Sequence, residues 1–511
     1  MGERCRSRRL HFGLLGALLS LCLILGVVWA ERQPTAWDPL GYQVAGRNIV
    51  QGLGPAVAHP FNATLGPYFT LAAFAVQRPQ SPARLYLNYP PGFPLLLAMP
   101  QWLGLPDFYL LPLLSALGVL LIYVLGRLLF DRWVGLLGAA IVALTPGYLE
   151  WSSAFWADWP GACYMLGAMV AYVAAWRQET RPRRLVFCAG AGALVVGAIF
   201  IKYSNVLVLG PMLAYAVLTQ RKAMFGHAAN WLFVAVIVLG LSGLGIYNQV
   251  LHGSPFETHY SASRSGFDFP IFGLSYALGP SPVGGYALRG MAETLWKNFS
   301  WLLLLAALGL ARGTRESVTL LGGLLLVFGG LFGIYAWAPV QVNARFLLPL
   351  FAPIGLFAAR GCLTVLDLRT TWRKWLLGGL LVAVGGTLWW SLPQTWRTLE
   401  ARNRDGARMR QAAQELTAGS APDAVFLAYL WNDQVNYFGE RTTFFYRRIN
   451  VDTQAEFEET LLQVVAQLLR DGRPVYYVGD RQPPLVELLA QEYVVSLWKE
   501  AAVPVYKVDA R

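Results

Sequence analysis

The chain has 511 residues, of which 56% are hydrophobic and only 14% charged, with a mean hydropathy of +0.44. That balance is too apolar for an ordinary soluble domain and describes an integral membrane protein. The net charge of +12 does not point to nucleic acid, because Lys and Arg stand in short clusters between apolar runs, as the positive-inside rule arranges them.

In chain order, Arg4, Arg6, Arg8 and Arg9 precede an apolar run over 12–30. It is long for a signal-peptide core and lacks a small-x-small end, which predicts an uncleaved first helix. Further runs at 107–126, 133–149, 159–176, 185–201, 203–219 and 228–247, a weaker one at 296–311, and runs at 317–340, 346–366 and 375–392 complete a set of eleven predicted transmembrane helices. Alternation from a cytoplasmic N-terminus puts 17 Lys and Arg into 47 inside residues (1–11, 126–132, 177–184, 220–227, 312–316, 367–374). The main outside loops (31–106, 150–158, 248–297, 339–345) hold 8 in 142. Adding one span would invert every later loop, so the short apolar stretch 93–103 is read as an interfacial or re-entrant helix.

The segment after residue 392 reads as helix (396–418), strands (424–431, 442–446), helix (453–470), strand (474–478), helix (484–492) and a strand pair (494–497, 503–508). The expected architecture is a polytopic α-helical domain over 1–395, including the long outer loop 31–106, followed by a small extracytoplasmic α/β domain over 396–511. Cys5, Cys22, Cys163, Cys188 and Cys362 lie in or beside apolar stretches with no CxxC pair, which predicts neither a structural disulfide nor a zinc–thiolate site.

This topology gathers ionisable groups on the outer face: Asp38 after the first helix, Glu150 and Asp158 around WSSAFWADWPG, Lys202 at the end of the fifth helix and Arg345 at the start of the tenth. Charge at membrane depth is costly and marks function. Two carboxylates with two cations suit transfer from a phosphate-activated lipid: a carboxylate takes the acceptor's proton, and Lys and Arg stabilise charge on the departing phosphate. The plainer alternatives are helix capping for Asp38, before Pro39, and for Asp158, before Pro160, and snorkelling for Lys202 and Arg345. Of the outer-loop histidines His59, His252 and His259, His252 is kept as a candidate contact, and Tyr42 and Tyr89 as candidate sugar contacts.

The motifs Asp38-Pro-Leu-Gly-Tyr42, Tyr89-Pro-Pro-Gly-Phe-Pro94, Thr145-Pro-Gly-Tyr148 with Ala157-Asp158-Trp-Pro160, Gly197 to Lys202, and Arg345-Phe-Leu-Leu-Pro349 occur in this order. Over roughly residues 10–365 the chain resembles the GT-C superfamily of membrane glycosyltransferases, in the branch of the protein mannosyltransferases and lipid A aminoarabinose transferases. The resemblance implies a GT-C fold in the inner or plasma membrane and an inverting glycosyl transfer from a polyprenyl-phosphate sugar to a glycan, lipid or protein acceptor on the outer face. It assigns Asp38 as catalytic base and Asp158 to the reacting centre, and the carrier phosphate is expected to meet Lys202 and Arg345. Where many relatives pair Asp with Glu, Pro39 follows Asp38 here. Asn88 and Tyr89 stand where the metal-binding branch has an acidic residue, so no metal ligands are assigned and a divalent ion is an open expectation. The rival readings are a transporter or flippase of lipid-linked sugars, which would place its site at the bilayer midplane between repeats, and a non-catalytic family member.

Overall fold

The computed structural model describes residues 2–76, 83–256, 272–281, 286–335, 341–367, 373–449, 451, 453–479 and 485–511. Among these, six helices are long and apolar enough to cross a membrane: Arg9–Trp29, Asp107–Leu129, Arg181–Ile201, Ala228–Leu251, Arg315–Gly333 and Ala344–Leu366. Two bent pairs, Arg132–Ala143 with Pro146–Ser152 (73°) and Ala287–Phe299 with Leu302–Ala311 (97°), raise the number to eight if each is one span. The chain is thus a multi-pass membrane protein. Three of the eleven expected spans are not among the eight. The one at 159–176 is the 18-residue helix Asp158–Ala175. The one at 203–219 opens as a 3-10 turn, Tyr203–Val208, and leaves only Leu209–Gln220 as α-helix. The last span and the expected helix at 396–418 merge into a single helix, Arg373–Thr417.

The chain divides into two compact units, one of Met1–Ala30, Phe108–Gly245 and Ser265–Glu400, the other of Glu31–Asp107, Ile246–Arg264 and Ala401–Arg511. The helical unit packs through small residues, as membrane bundles do where backbones must approach closely. A Cβ added to Gly309 would lie 1.8 Å from the Phe357 carbonyl oxygen, and one on Gly361 would lie 2.0 Å from that of Leu305, so the helices Leu302–Ala311 and Leu348–Leu366 meet backbone to backbone. Neither backbone can retreat as a flexible side chain would. Gly309→Val is therefore expected to abolish the monodisperse folded peak in fluorescence-detected size-exclusion chromatography, whereas Gly329→Ala, where an added Cβ meets nothing within 4 Å, is expected to leave it unchanged.

Five of the basic segments of the sequence reading converge at one end of this unit. The ring of His11 lies 5.1 Å from that of Trp133, and Arg177 donates to the Leu128 carbonyl (3.4 Å) and to Glu316 (2.9 Å). Arg177, Arg184, Gln220, His227 and Glu316 line one pocket. The helices Asp158–Ala175 and Arg181–Ile201 lead away from that end, and at about 1.5 Å per residue the first is roughly 27 Å long. Asp158 and Lys202 therefore lie at the opposite end.

In the second unit, Ala56–Ala58, Arg84–Leu87 and Phe74–Val76 form an antiparallel sheet with Arg84–Leu87 in the middle. The 11-residue helix Gly92–Trp102, where the interfacial helix is expected, packs on the helix Trp37–Val50. A five-stranded sheet runs in the order Thr442–Phe445, Val425–Ala428, Val475–Val478, Pro504–Asp509, Val494–Glu500; the first three strands are parallel and the last two antiparallel. All four residues of Val425–Ala428 and of Val475–Val478 are buried, as expected for central strands covered on both faces. Helix Gln454–Arg470 opens with a reciprocal Thr453–Glu456 capping box and buries Leu461, Val464, Val465 and Leu468 against this sheet.

The loop after the first helix differs from expectation in its packing. Grouped with the helical domain in the sequence reading, it instead shares a core with the C-terminal segment: Phe69 is buried with Val425, Leu427, Phe444 and Tyr477, and the Phe445 amide donates to the Tyr68 carbonyl at 2.8 Å. The Phe69 ring and the Tyr68 carbonyl find these partners at the edge of the C-terminal sheet, a pairing no local pattern announces.

Candidate active site

The helical unit holds an ion cluster on Asp158, the first residue of the helix Asp158–Ala175. Capping is not its role: the N-cap is Ala157 and no side chain caps the helix. Instead the carboxylate engages both cations, Oδ1 with Lys202 Nζ and Oδ2 with Arg345 Nε at 3.1 Å. Local sequence explains how Asp158 is held. Trp159 is buried, its indole donating to the Leu114 carbonyl at 3.1 Å, and its ring occupies the space over Gly118, where an added Cβ would approach within 2.2 Å. Lys202 ends its helix in an extended conformation (φ −156°), turning the chain into the 3-10 segment where Asn205 donates to Ala198 O at 2.9 Å. Asn205 fits only because residue 161 is glycine: an added Cβ there would lie 2.4 Å from its Nδ2.

Arg345, 7% exposed, sits in the 3-10 segment Gln341–Leu347 with its guanidinium 3.6 Å from the Trp156 ring centroid and 4.8 Å from that of Phe346. Lys202 Nζ lies 4.1 Å from the Phe346 centroid. Aromatic faces and one shared carboxylate thus hold two cations together against their mutual repulsion. Snorkelling, the plain alternative for both, does not describe them. Glu150 is half-buried within the short helix Pro146–Ser152. The side chain of His252 lies outside the described residues, as does all of His259.

In the second unit, Asp38 likewise does not cap its helix; the N-cap is Ala36, and Asp38 occupies the first turn. The half-buried carboxylate accepts a hydrogen bond from the Tyr89 hydroxyl at 2.5 Å, which joins the first and second motifs of the sequence. Tyr42 packs against both Tyr89 and Phe93, with centroids 5.2 Å apart in each case. Gly41 is required here, since a Cβ would lie 2.3 Å from that of Ala73. The residues just before Ala73 are clamped by polar groups that sequence reading missed. Asp433 Oδ1 accepts from the Ala72 amide (2.8 Å), Asn432 donates to Thr70 O (2.9 Å), and Arg448 donates to Ala72 O (2.8 Å). Arg447 lies 5.1 Å from the Trp37 ring centroid. Their signal in the sequence was an Asn-Asp pair and an Arg-Arg pair in a domain read only for its strands. His59 is not a free loop histidine: it stacks on Phe69 at 5.4 Å, and burial followed by the nearby Arg473 lowers its pKa.

Asp433 is fully buried, and desolvation outweighs its hydrogen bonds and Arg448 to push its pKa up to about 6, with the charge of Asp38 adding to the rise. Burial pulls Arg448 down to about 10. A folded-state carboxylate pKa above the unfolded value of about 4 means that the fold binds the extra proton, so stability falls as pH rises from about 4 to about 6. Two pKa units correspond to about 3 kcal/mol. Asp433→Asn is expected to flatten that slope in chemical denaturation followed between pH 4 and 7; an unchanged slope would remove Asp433 as its source.

Among the described residues no three His, Cys, Asp or Glu side chains converge in a manner suited to a metal ion. Asp158 faces two cations, a donor set that does not suit a divalent metal.

The chain is similar to known transferases in part of its sequence and in its fold. Residues 108–246 match the profile of the dolichyl-phosphate-mannose-protein mannosyltransferases. The fold is similar to that of ArnT from Cupriavidus metallidurans bound to undecaprenyl phosphate (TM-score 0.62, 11% identity, covering 97% of this chain and 98% of that one). It is also similar to the Archaeoglobus fulgidus oligosaccharyltransferase tethered with an acceptor peptide (TM-score 0.58, 12% identity, 92% and 69%). A third similar structure is the arabinofuranosyltransferase AftD from Mycobacteria (TM-score 0.57, 13% identity, 97% and 41%). No curated protein matches this chain by sequence.

Proposed function

We propose that this protein transfers a sugar from a polyprenyl-phosphate carrier to an acceptor hydroxyl on the outer face of the membrane, with the convergent basic loops on the cytoplasmic side and the C-terminal domain outside. The observation that carries this reading is the pairing of Lys202 and Arg345 on Asp158. Two cations on one carboxylate leave a net positive site, and a departing phosphate gains negative charge as its bond to the sugar breaks. Both oxygens of Asp158 are engaged, so it serves to position the cations, and proton removal falls to Asp38. The acceptor oxygen bonds to the anomeric carbon while the bond from that carbon to the phosphate oxygen breaks, its electron pair leaving with the phosphate. The acceptor's proton passes to Asp38. One displacement inverts the configuration. The undecaprenyl phosphate in the ArnT structure and the acceptor peptide in the oligosaccharyltransferase structure support a lipid-phosphate donor and a separate acceptor. Tyr89, beside Asp38, supplies an aromatic face for a sugar ring with the buried Tyr42 packed against it, and Glu150 and His252 remain candidate substrate contacts.

The test is to incubate the purified full-length protein with a panel of radiolabelled polyprenyl-phosphate sugars and lipid, glycan and peptide acceptors. Transfer from at least one donor, with inversion at the anomeric carbon, is expected. Movement of intact lipid-linked sugar across vesicles without transfer would overturn the reading in favour of a flippase.

A further inference from the structure

The end of the helical unit opposite Asp158 carries two adjoining cavities that the transfer reaction does not use. The first, about 490 Å³, is lined almost entirely by apolar side chains of the helices Leu209–Gln220 and Ala228–His252, among them Leu213, Phe233 and Val234. Its volume falls in the usual range of about 300–1,000 Å³ for ligand sites. Leu213 is 58% and Val234 45% exposed, so the groove opens on the face turned to lipid. The second, about 420 Å³, is polar and is lined by Arg177, Arg184, Gln220, His227 and Glu316.

A band of hydrogen bonds marks the boundary between them: Tyr172 to Asn230 (2.9 Å), Asn230 to Gln220 (2.6 Å) and Gln220 to the Tyr172 hydroxyl (3.3 Å). Apolar groove, polar band and cationic pocket thus follow one another in the order of an acyl chain, a glycerol ester and a headgroup. The charge in the pocket is unbalanced. Glu316 is matched by Arg177 at 2.9 Å. Arg184 donates to Gln178 O at 2.9 Å and lies 5.1 Å from the Trp176 ring centroid, but no carboxylate pairs with it and its buried Nε has no hydrogen-bond partner among the described residues. The three contributing loops, 177–184, 220–227 and 312–316, hold eight Lys and Arg against the two carboxylates Glu179 and Glu316. Basic pockets between transmembrane helices recognise anionic lipid headgroups.

We infer that this pocket and groove bind one anionic phospholipid, its phosphate on Arg184 and an acyl chain between the helices Leu209–Gln220 and Ala228–His252. The site is separate from the proposed donor site, since Arg184 and Lys202 lie at opposite ends of one helix.

The full-length protein in detergent, examined by native mass spectrometry with dioleoyl phosphatidylglycerol or dioleoyl phosphatidylcholine, tests this. Wild type is expected to retain one phosphatidylglycerol about tenfold more tightly than phosphatidylcholine, a difference of about 1.4 kcal/mol. Arg184→Gln should erase that preference, Arg184→Lys should keep most of it, and Arg408→Gln, outside the pocket, should leave it intact. Leu213→Trp, which fills the groove, should weaken both lipids. A large excess of inorganic phosphate should fail to displace the lipid; displacement would make the site a free-anion site. Equal retention of the two lipids by wild type overturns the inference even if every variant fails to fold. So does a preference that survives in a folded Arg184→Gln protein.

Discussion

Asp38→Asn is expected to lower the transfer rate by about 10²–10⁴-fold, the usual worth of a positioned general base, with little change in KM for the donor. The substitution is nearly isosteric, and its amide oxygen can still accept the hydrogen bond from Tyr89, so the helix Trp37–Val50 and its packing through Gly41 should be kept. What it loses is the ability to take a proton at neutral pH. Tyr89→Phe removes only the orienting hydroxyl and should cost far less. The measurement is initial-rate transfer with the labelled donor identified in the panel, alongside thermal melting to show that both variants fold. Transfer by Asp38→Asn at the wild-type rate would end the assignment of Asp38 as base.

Arg345→Met is the second large effect, and it separates stability from chemistry. Its guanidinium is buried against Asp158, with side-chain exposures of 9% and 6%, so deleting it leaves a buried carboxylate with only Lys202. Breaking a buried pair on one side costs about 3–5 kcal/mol. The double variant Asp158→Asn with Arg345→Met removes the stranded charge and should recover much of that loss in thermal melting. Transfer should not recover: losing a group that stabilises departing charge costs about 10²–10³-fold whatever the stability. A double variant that regains both would reduce the cluster to structure and leave the proposed donor phosphate without its site.

Much of the candidate site was legible in the sequence. Asp158, Lys202 and Arg345 stood out because a charge beside an apolar run is expensive, and alternation of the loops put them on one side. The structure joins them into one ion cluster. The same sequence left capping open as the plainer alternative for Asp38 and Asp158, each with a proline one or two residues on, but both sit inside the first turn with their carboxylates turned to Tyr89 and to Lys202 and Arg345. Cap geometry depends on backbone angles at one residue, which the pattern does not specify.

By itself, then, the sequence determined that this is a multi-pass membrane protein with basic loops segregated from the carboxylates at the other end of its helices, and it singled out motifs that resemble those of the GT-C transferases. Those properties follow from hydrophobic length and the cost of charge, which act residue by residue along the chain. Only the tertiary structure decided that the loop after the first helix packs with the C-terminal sheet, and that Asn432, Asp433 and Arg448 clamp residues 70–72 beneath the Asp38 helix. It alone joined Tyr89 to Asp38 and placed Arg184 beside an apolar groove. These pairings span up to several hundred residues, and each is selected by shape and by the need of a buried polar group for a partner, a requirement met in space rather than in sequence.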